Sequence, residues 1–251
     1  MNRGLVNLEE LRKNFDKADF KQGKSSYCFI QGDKIIKVYA KKYEKNYLPK
    51  EICDFSKFSA DTIVFPLEYI YENGKIVGEI SKYIKSKAIT ESFNEKANLK
   101  AIIKGYERVI NDMYLYDNIN MMDLCSVNIL YSNRNGFHLI DTTEWNFEDY
   151  ALRHNLYYFN MSLLDALIEY AEIPIIYSKY YNKLDDSFLN NVEKYGKSGN
   201  SLKENIFMIM SNRYHFIKFL IAYMDIYRIH YGSDAKTLED IKEFTKVLKK
   251  G

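Results

Sequence analysis

The spacing of apolar residues changes period part-way along the chain, and this change limits the folds open to it more than any other feature. Up to about residue 85, short runs of β-formers alternate with turn signals. Tyr27-Cys28-Phe29-Ile30, the turn Gln31-Gly32-Asp33-Lys34 and the run Ile35-Ile36-Lys37-Val38-Tyr39 read as one hairpin. Leu67 to Tyr71 and Ile76 to Ile80, joined through Asn73-Gly74, read as a second. Between them, Lys50 to Phe58 has helical spacing (Ile52, Phe55, Phe58) after Pro49, a residue suited to a first helical turn. From about residue 90 the apolar residues recur every three or four positions. Leu99, Ile102, Ile103, Tyr106, Val109, Ile110 and Met113 mark one helical face, and Leu156, Phe159, Leu163, Leu164, Leu167 and Ile168 another. Ile206 to His230 predicts one or two further helices. Leu238 to Leu248 predicts a last one, with Thr237 and Asp240 as its capping box. The expected fold class is therefore α+β, a β-rich part over residues 1–84 followed by a helical part over residues 85–251.

With 251 residues, the chain can bury a sizeable core. A formal net charge of only +2 provides no field that would favour nucleic acid, and Lys41-Lys42 and Lys249-Lys250 read as solvated surface. Cys28, Cys53 and Cys125 lie far apart without metal-ligand or redox-motif spacing, which predicts free thiols in a reducing compartment. The charged, broken N-terminus is unlike a signal peptide. Phe216 to Tyr231, the most apolar stretch, is interrupted by Lys218, Asp225 and Arg228, so no membrane span is expected and the cytoplasm is the expected location. The four histidines are scattered. Gly196-Lys197-Ser198 lacks the upstream glycine of a phosphate-binding loop and reads as part of a surface connection over 195–201.

One segment carries chemistry. Asp123-Leu124-Cys125-Ser126-Val127-Asn128 sets an Asp and an Asn five positions apart before the β-like Ile129-Leu130-Tyr131, and after a turn over 132–136 a second apolar run ends in Asp141. Two short strands joined by a tight turn bring their outer ends together, so two carboxylates and an amide converge as an oxygen-rich set suited to Mg²⁺. Lys37 is flanked by β-branched residues, and by alternation alone it reads as the exposed face of its strand.

The Asp-Leu-x-x-x-Asn spacing followed by an Asp-led segment resembles the protein-kinase-like superfamily. The resemblance implies a two-lobed fold, with a small β-rich nucleotide-binding N-lobe and a larger helical C-lobe, that uses ATP and Mg²⁺. It implies that Asp123 orients the attacking hydroxyl, that Asn128 and Asp141 hold the metal, and that Lys37 neutralises the α- and β-phosphates. Glu51 would steady Lys37, with Glu44 a weaker candidate for that partner. Gly23, Ser25 and Ser26 would lie in the loop covering the nucleotide. Lys82 and Tyr83 would lie in the stretch 79–84, which is either the strand whose backbone binds adenine or an ordinary edge strand entering a loop.

The departures from the family pattern are Met121-Met122 in place of His-Arg, Cys125 in place of a lysine, Thr142-Thr143 in place of Phe-Gly, and no Ala-Pro-Glu. They point to an atypical, bacterial-style protein kinase or an aminoglycoside- or choline-kinase-like phosphotransferase acting on a protein or small-molecule hydroxyl. A catalytically weak pseudokinase that serves as an interaction module or switch is the alternative, and a helical adaptor without nucleotide is the blandest reading.

Overall fold

The structure is a computed structural model and describes residues 21–22, 26–39, 54–94, 99–170, 186–219 and 222. The chain divides into two compact units. One comprises the residues up to Ala60 with Val64–Lys85, the other Asp61–Ile63 with the residues from Ser86 on. Together they make a mixed α+β chain, antiparallel sheet first and helices later.

In the first unit, β1 (Lys21–Gln22), β2 (Ser26–Gln31), β3 (Lys34–Tyr39), β4 (Pro66–Glu72) and β5 (Lys75–Lys82) form a five-stranded sheet in the order β1-β2-β3-β5-β4, each neighbour antiparallel. Both expected hairpins are present. The β4–β5 turn places Asn73 and Gly74 at φ 52° and 76°, the pair of positive values that matches the twist of the strands it joins. Ile36, Val38, Ile70, Val77 and Ile80 pack as a core with Phe29 against them. Strand β5 is buried at every position from Ile76 to Ser81 because β3 and β4 flank it, so the stretch from Glu79 is not an edge strand. Gly78 sits opposite Val38, where an added Cβ would overlap the Lys37 carbonyl oxygen.

The helix expected over 50–58 does not run unbroken to its end. Asp54 has non-helical φ/ψ (−75°, 82°) and takes the Ser56 N–H at 3.2 Å, starting a single 3₁₀ turn over Phe55–Lys57, after which Phe58 is extended. The Asp side chain competes with the helix for the backbone, and Phe55, Phe58 and Phe65 pack together with ring centroids 5.6–6.2 Å apart. Residues 50–53, Glu51 among them, lie outside the described residues.

The second unit holds β6 (Lys87–Ala88), α1 (Ile89–Asn94), α2 (Leu99–Leu115), β7 (Ile119–Asn120), β8 (Ile129–Ser132), β9 (Gly136–Leu139), β10 (Asn146–Phe147), α3 (Ala151–Tyr170), α4 (Asp186–Tyr195) and α5 (Leu202–Met210). Strands β6, β8 and β9 form one small sheet, and β7 with β10 another. The predicted apolar faces are the buried ones: Ile102, Tyr106, Val109, Ile110 and Met113 on α2, and Leu156, Phe159, Leu163 and Leu164 on α3. Rings cross between these elements, Tyr106 to Phe159 at 5.9 Å and Phe137 to Phe159 at 5.6 Å.

The segment Asp61–Ile63 is fastened to this unit on two sides. Leu139 N–H donates to the Thr62 carbonyl at 2.7 Å, while Thr62 donates its N–H and hydroxyl to Asp112 Oδ2 at 2.8 and 2.6 Å. The stretch 195–201 is the exposed connection expected. It also holds a capping box that the sequence reading did not name, Ser201 with Glu204 at the start of α5. Helical structure breaks at Ser211 and resumes at 213, where Asn212 Oδ1 takes the His215 N–H at 3.0 Å. The helix expected over 238–248 lies outside the described residues. No helix among the described residues is long and apolar enough to cross a membrane.

Candidate active site

Two buried residues, Met121 and Leu124, anchor the loop between β7 and β8, and Asp123 stands between them, exposed, at φ 57°. Asp tolerates this left-handed backbone better than most residues. The Asp123 carbonyl takes Cys125 N–H at 2.8 Å and Asn128 Nδ2 at 2.9 Å. Asn128 Nδ2 also lies 3.2 Å from Asp123 Oδ2. The Asn128 NH₂ is thus spent on the Asp123 residue, which leaves its Oδ1 as the face of the amide open to a cation or donor. Ile140 N–H donates to the Asn128 carbonyl at 3.0 Å, one step beyond the Ile129–Leu139 pair, so the β8–β9 ladder delivers the chain directly to Asp141.

Asp141 also has left-handed backbone (φ 70°, ψ 70°), is half-buried, and accepts Thr143 N–H at 3.4 Å as the cap of a 3₁₀ turn over Thr142–Glu144. Two of the three residues in the set therefore carry backbone strain, of order 1–3 kcal/mol each, a cost that concentrates at functional sites. Among the described residues no three His, Cys, Asp or Glu side chains gather as a metal-holding group. The oxygen set here is two carboxylates and an amide, donors that suit a hard cation such as Mg²⁺.

Cys125 takes the position two after Asp123. It is half-buried, and burial first, then the Asp123 carboxylate, hold its thiol above the ordinary range, so it is neutral at physiological pH. No positive charge stands where the resemblance implied a lysine.

In the first unit Lys37 is 8 % exposed, so the solvated-strand reading of it does not hold. It pairs across the ladder with Glu79 of β5, itself 5 % exposed, and with Cys28 of β2. Directly opposed residues project from one face, which puts a buried ammonium beside a buried carboxylate. Tyr39, two residues on and on that face, donates its hydroxyl to Glu79 Oε2 at 3.4 Å, and Lys37 Nζ stands 6.0 Å from its ring centroid. Ser26, opposite Tyr39, is buried, and Gly23 and Ser25 lie outside the described residues. Lys82 ends β5 exposed, and Tyr83 N–H already donates to the Asp33 carbonyl at 2.8 Å.

Compared with protein-family models and with curated proteins, the sequence matches none.

The structure therefore brings Asp123, Asn128 and Asp141 to one end of the β8–β9 hairpin and places Lys37 on a buried sheet face in its own unit. Two participants escaped the sequence reading. Glu79 is a charged residue inside an otherwise apolar β run, a signal that becomes legible only once the β3–β5 register is known. Asn155, fully buried on α3, accepts Met121 N–H at 2.9 Å and donates to the Ile119 carbonyl at 2.7 Å, clamping the backbone that leads into Asp123. An amide inside the apolar stripe of a helix is its only mark in the sequence.

Proposed function

We propose that the chain is an ATP- and Mg²⁺-dependent phosphotransferase of two-lobed, protein-kinase-like fold, working in the cytoplasm on a hydroxyl of a protein or a small molecule. The observation that carries this reading is the grip of Asp123 on the Asn128 amide, with the same short ladder ending in Asp141. The buried Lys37 on the third strand supports it.

Asp123 orients the acceptor hydroxyl and takes its proton as the oxygen bonds to the γ-phosphorus. The bond from that phosphorus to the β,γ-bridging oxygen breaks, and ADP departs with the electron pair. Lys37 offsets charge on the α- and β-phosphates. Mg²⁺, when bound by Asn128 and Asp141, supplies charge neutralisation at the transferring group. The neutral Cys125 favours a second reading, a nucleotide-binding switch with weak or no transfer, because a cation expected near the phosphoryl group is missing.

Nucleotide with Mg²⁺ at about 100 times its dissociation constant stabilises a binding-competent fold by about 2.7 kcal/mol. For a chain of this size that is a melting rise of about 5–11 °C. The phosphotransferase reading expects that rise, its reduction in Asp141→Ala, and ATP consumption that Asp123→Asn abolishes while nucleotide still binds. A rise without ATP consumption by the wild-type protein would favour the switch. No rise with any nucleotide would remove both.

A further inference from the structure

Across the five-stranded sheet, register sets Lys21, Cys28, Lys37, Glu79 and Tyr69 in one row. Lys37 and Glu79 are the buried charges of that row among the described side chains. Directly opposed residues of an antiparallel pair hold their Cβ atoms roughly 4.5–5.5 Å apart. Lys21 lies three strands from Glu79, which at about 4.8 Å per strand is about 14 Å. Glu68 pairs with Ile80 and so belongs to the other face, while Glu72 pairs with Lys75 at the hairpin end. Within the described strands, the opposite charge nearest to Lys37 is therefore Glu79.

Tyr39 touches both charges. Its hydroxyl donates to Glu79 Oε2 at 3.4 Å, and Lys37 Nζ stands 6.0 Å from its ring centroid. The hydroxyl orients the carboxylate and the ring flanks the ammonium. Gly78, without a side chain, lets the backbone beside Glu79 come up against the Lys37 carbonyl. A charge taken out of water tends to neutralise unless an opposite charge faces it. Here that partner comes from the neighbouring strand, and a slip of one residue in the β3–β5 register would turn the two side chains to opposite faces. Cys28 and Tyr69 are the other titratable residues adjoining the pair in the row.

We infer that Glu79 is the positioning residue of Lys37, a partner fixed by strand register, so that the ammonium stands charged and aimed before any nucleotide arrives. The resemblance had given this role to Glu51. Placing a partner on the adjacent strand makes the lysine ready without a conformational step. The consequence for phosphate binding rests on the phosphotransfer reading; the charge pair itself does not, and the two are measured separately.

The first measurement is a pH titration by NMR of the full chain, without nucleotide, carrying lysine labelled with ¹³C at Cε. The Lys37 signal is assigned by its absence in Lys37→Arg. Wild-type Lys37 remains an ammonium at about pH 9, and Glu79→Gln moves its titration to lower pH, further than Glu51→Gln does. A wild-type Lys37 already neutral near pH 7 overturns the inference, as does a shift in Glu51→Gln larger than that in Glu79→Gln. Circular dichroism checks that each variant is folded. Should Glu79→Gln not fold, the double variant Lys37→Met/Glu79→Gln removes both charges and recovers the fold; its failure to do so counts against the pairing. The second measurement is the melting rise with ATP and Mg²⁺, which Glu79→Gln reduces as Lys37→Met does. A wild-type rise left intact by Glu79→Gln overturns the positioning role. No rise in the wild type removes the phosphotransfer reading and leaves the charge pair to the titration.

Discussion

Replacing Asp112 by alanine removes the acceptor for two donors of Thr62, a residue that is 1 % exposed. A hydrogen bond to a charged group contributes about 1.5–3 kcal/mol, so the two together set an upper bound of about 3–6 kcal/mol. Asp112 is half-buried, and water admitted by the smaller side chain re-solvates part of what is orphaned. The expected loss is therefore about 2–4 kcal/mol, or a melting fall of about 4–16 °C for a chain of this length. Asp112→Asn retains an acceptor without the charge and should lose about half as much. Trp145, the one tryptophan of the chain, is buried in the same unit and reports its unfolding by fluorescence in urea. Thr62→Val removes the hydroxyl donor while keeping the shape. In the double-mutant cycle with Asp112→Ala, the coupling should reach about 1–2 kcal/mol. The reasoning fails if Asp112→Ala costs less than about 0.5 kcal/mol or the two losses simply add. On the proposed phosphotransferase reading, the same variant should also weaken the Mg²⁺-dependent part of the nucleotide shift, because Leu139 donates to the Thr62 carbonyl and β9 leads to Asp141.

Gly78→Ala drives a methyl into the Lys37 carbonyl and should cost about 1–3 kcal/mol of thermal stability, which a melt by circular dichroism reads; an unchanged melting temperature contradicts the close approach of β3 and β5. Asn155→Leu orphans Met121 N–H and the Ile119 carbonyl, so it should destabilise by about 2–4 kcal/mol and, on the proposed phosphotransferase reading, lower turnover more than nucleotide affinity; equal losses in both would argue against a positioning role. Cys125 should resist iodoacetamide near neutral pH and react as pH rises past the ordinary thiol range, because alkylation requires the thiolate. Asp123→Asn removes one of the groups that raise its pKa and should speed the reaction, as mass spectrometry of the Cys125 peptide would show, whereas fast wild-type labelling at neutral pH would contradict the assignment.

Both first-unit hairpins were legible because their signals are local. Asn73-Gly74 and Gly32-Asp33 specify turns through backbone freedom that few other residues possess, and alternation specifies the flanking strands. The buried faces of α2 and α3 were legible for the same kind of reason, since a helix repeats its contact with the core every three or four residues. The order Asp123, Asn128, Asp141 was readable as well, because the turn between β8 and β9 lies within the same short stretch. The break at Asp54 was not, since spacing alone at Ile52, Phe55 and Phe58 cannot register an Asp that claims the Ser56 N–H for itself.

The amino-acid order by itself determined where strands give way to helices and which three oxygen-bearing residues share one hairpin end, because these depend on neighbours a few bonds away. Only the tertiary structure decided that Lys37 is buried opposite Glu79, that Asn155 clamps the backbone before Asp123, and that Asp112 ties down Thr62. Those partners are 42, 34 or 36, and 50 residues apart. Which donor meets which acceptor across such a distance is set by strand register and helix docking, and no local pattern encodes either.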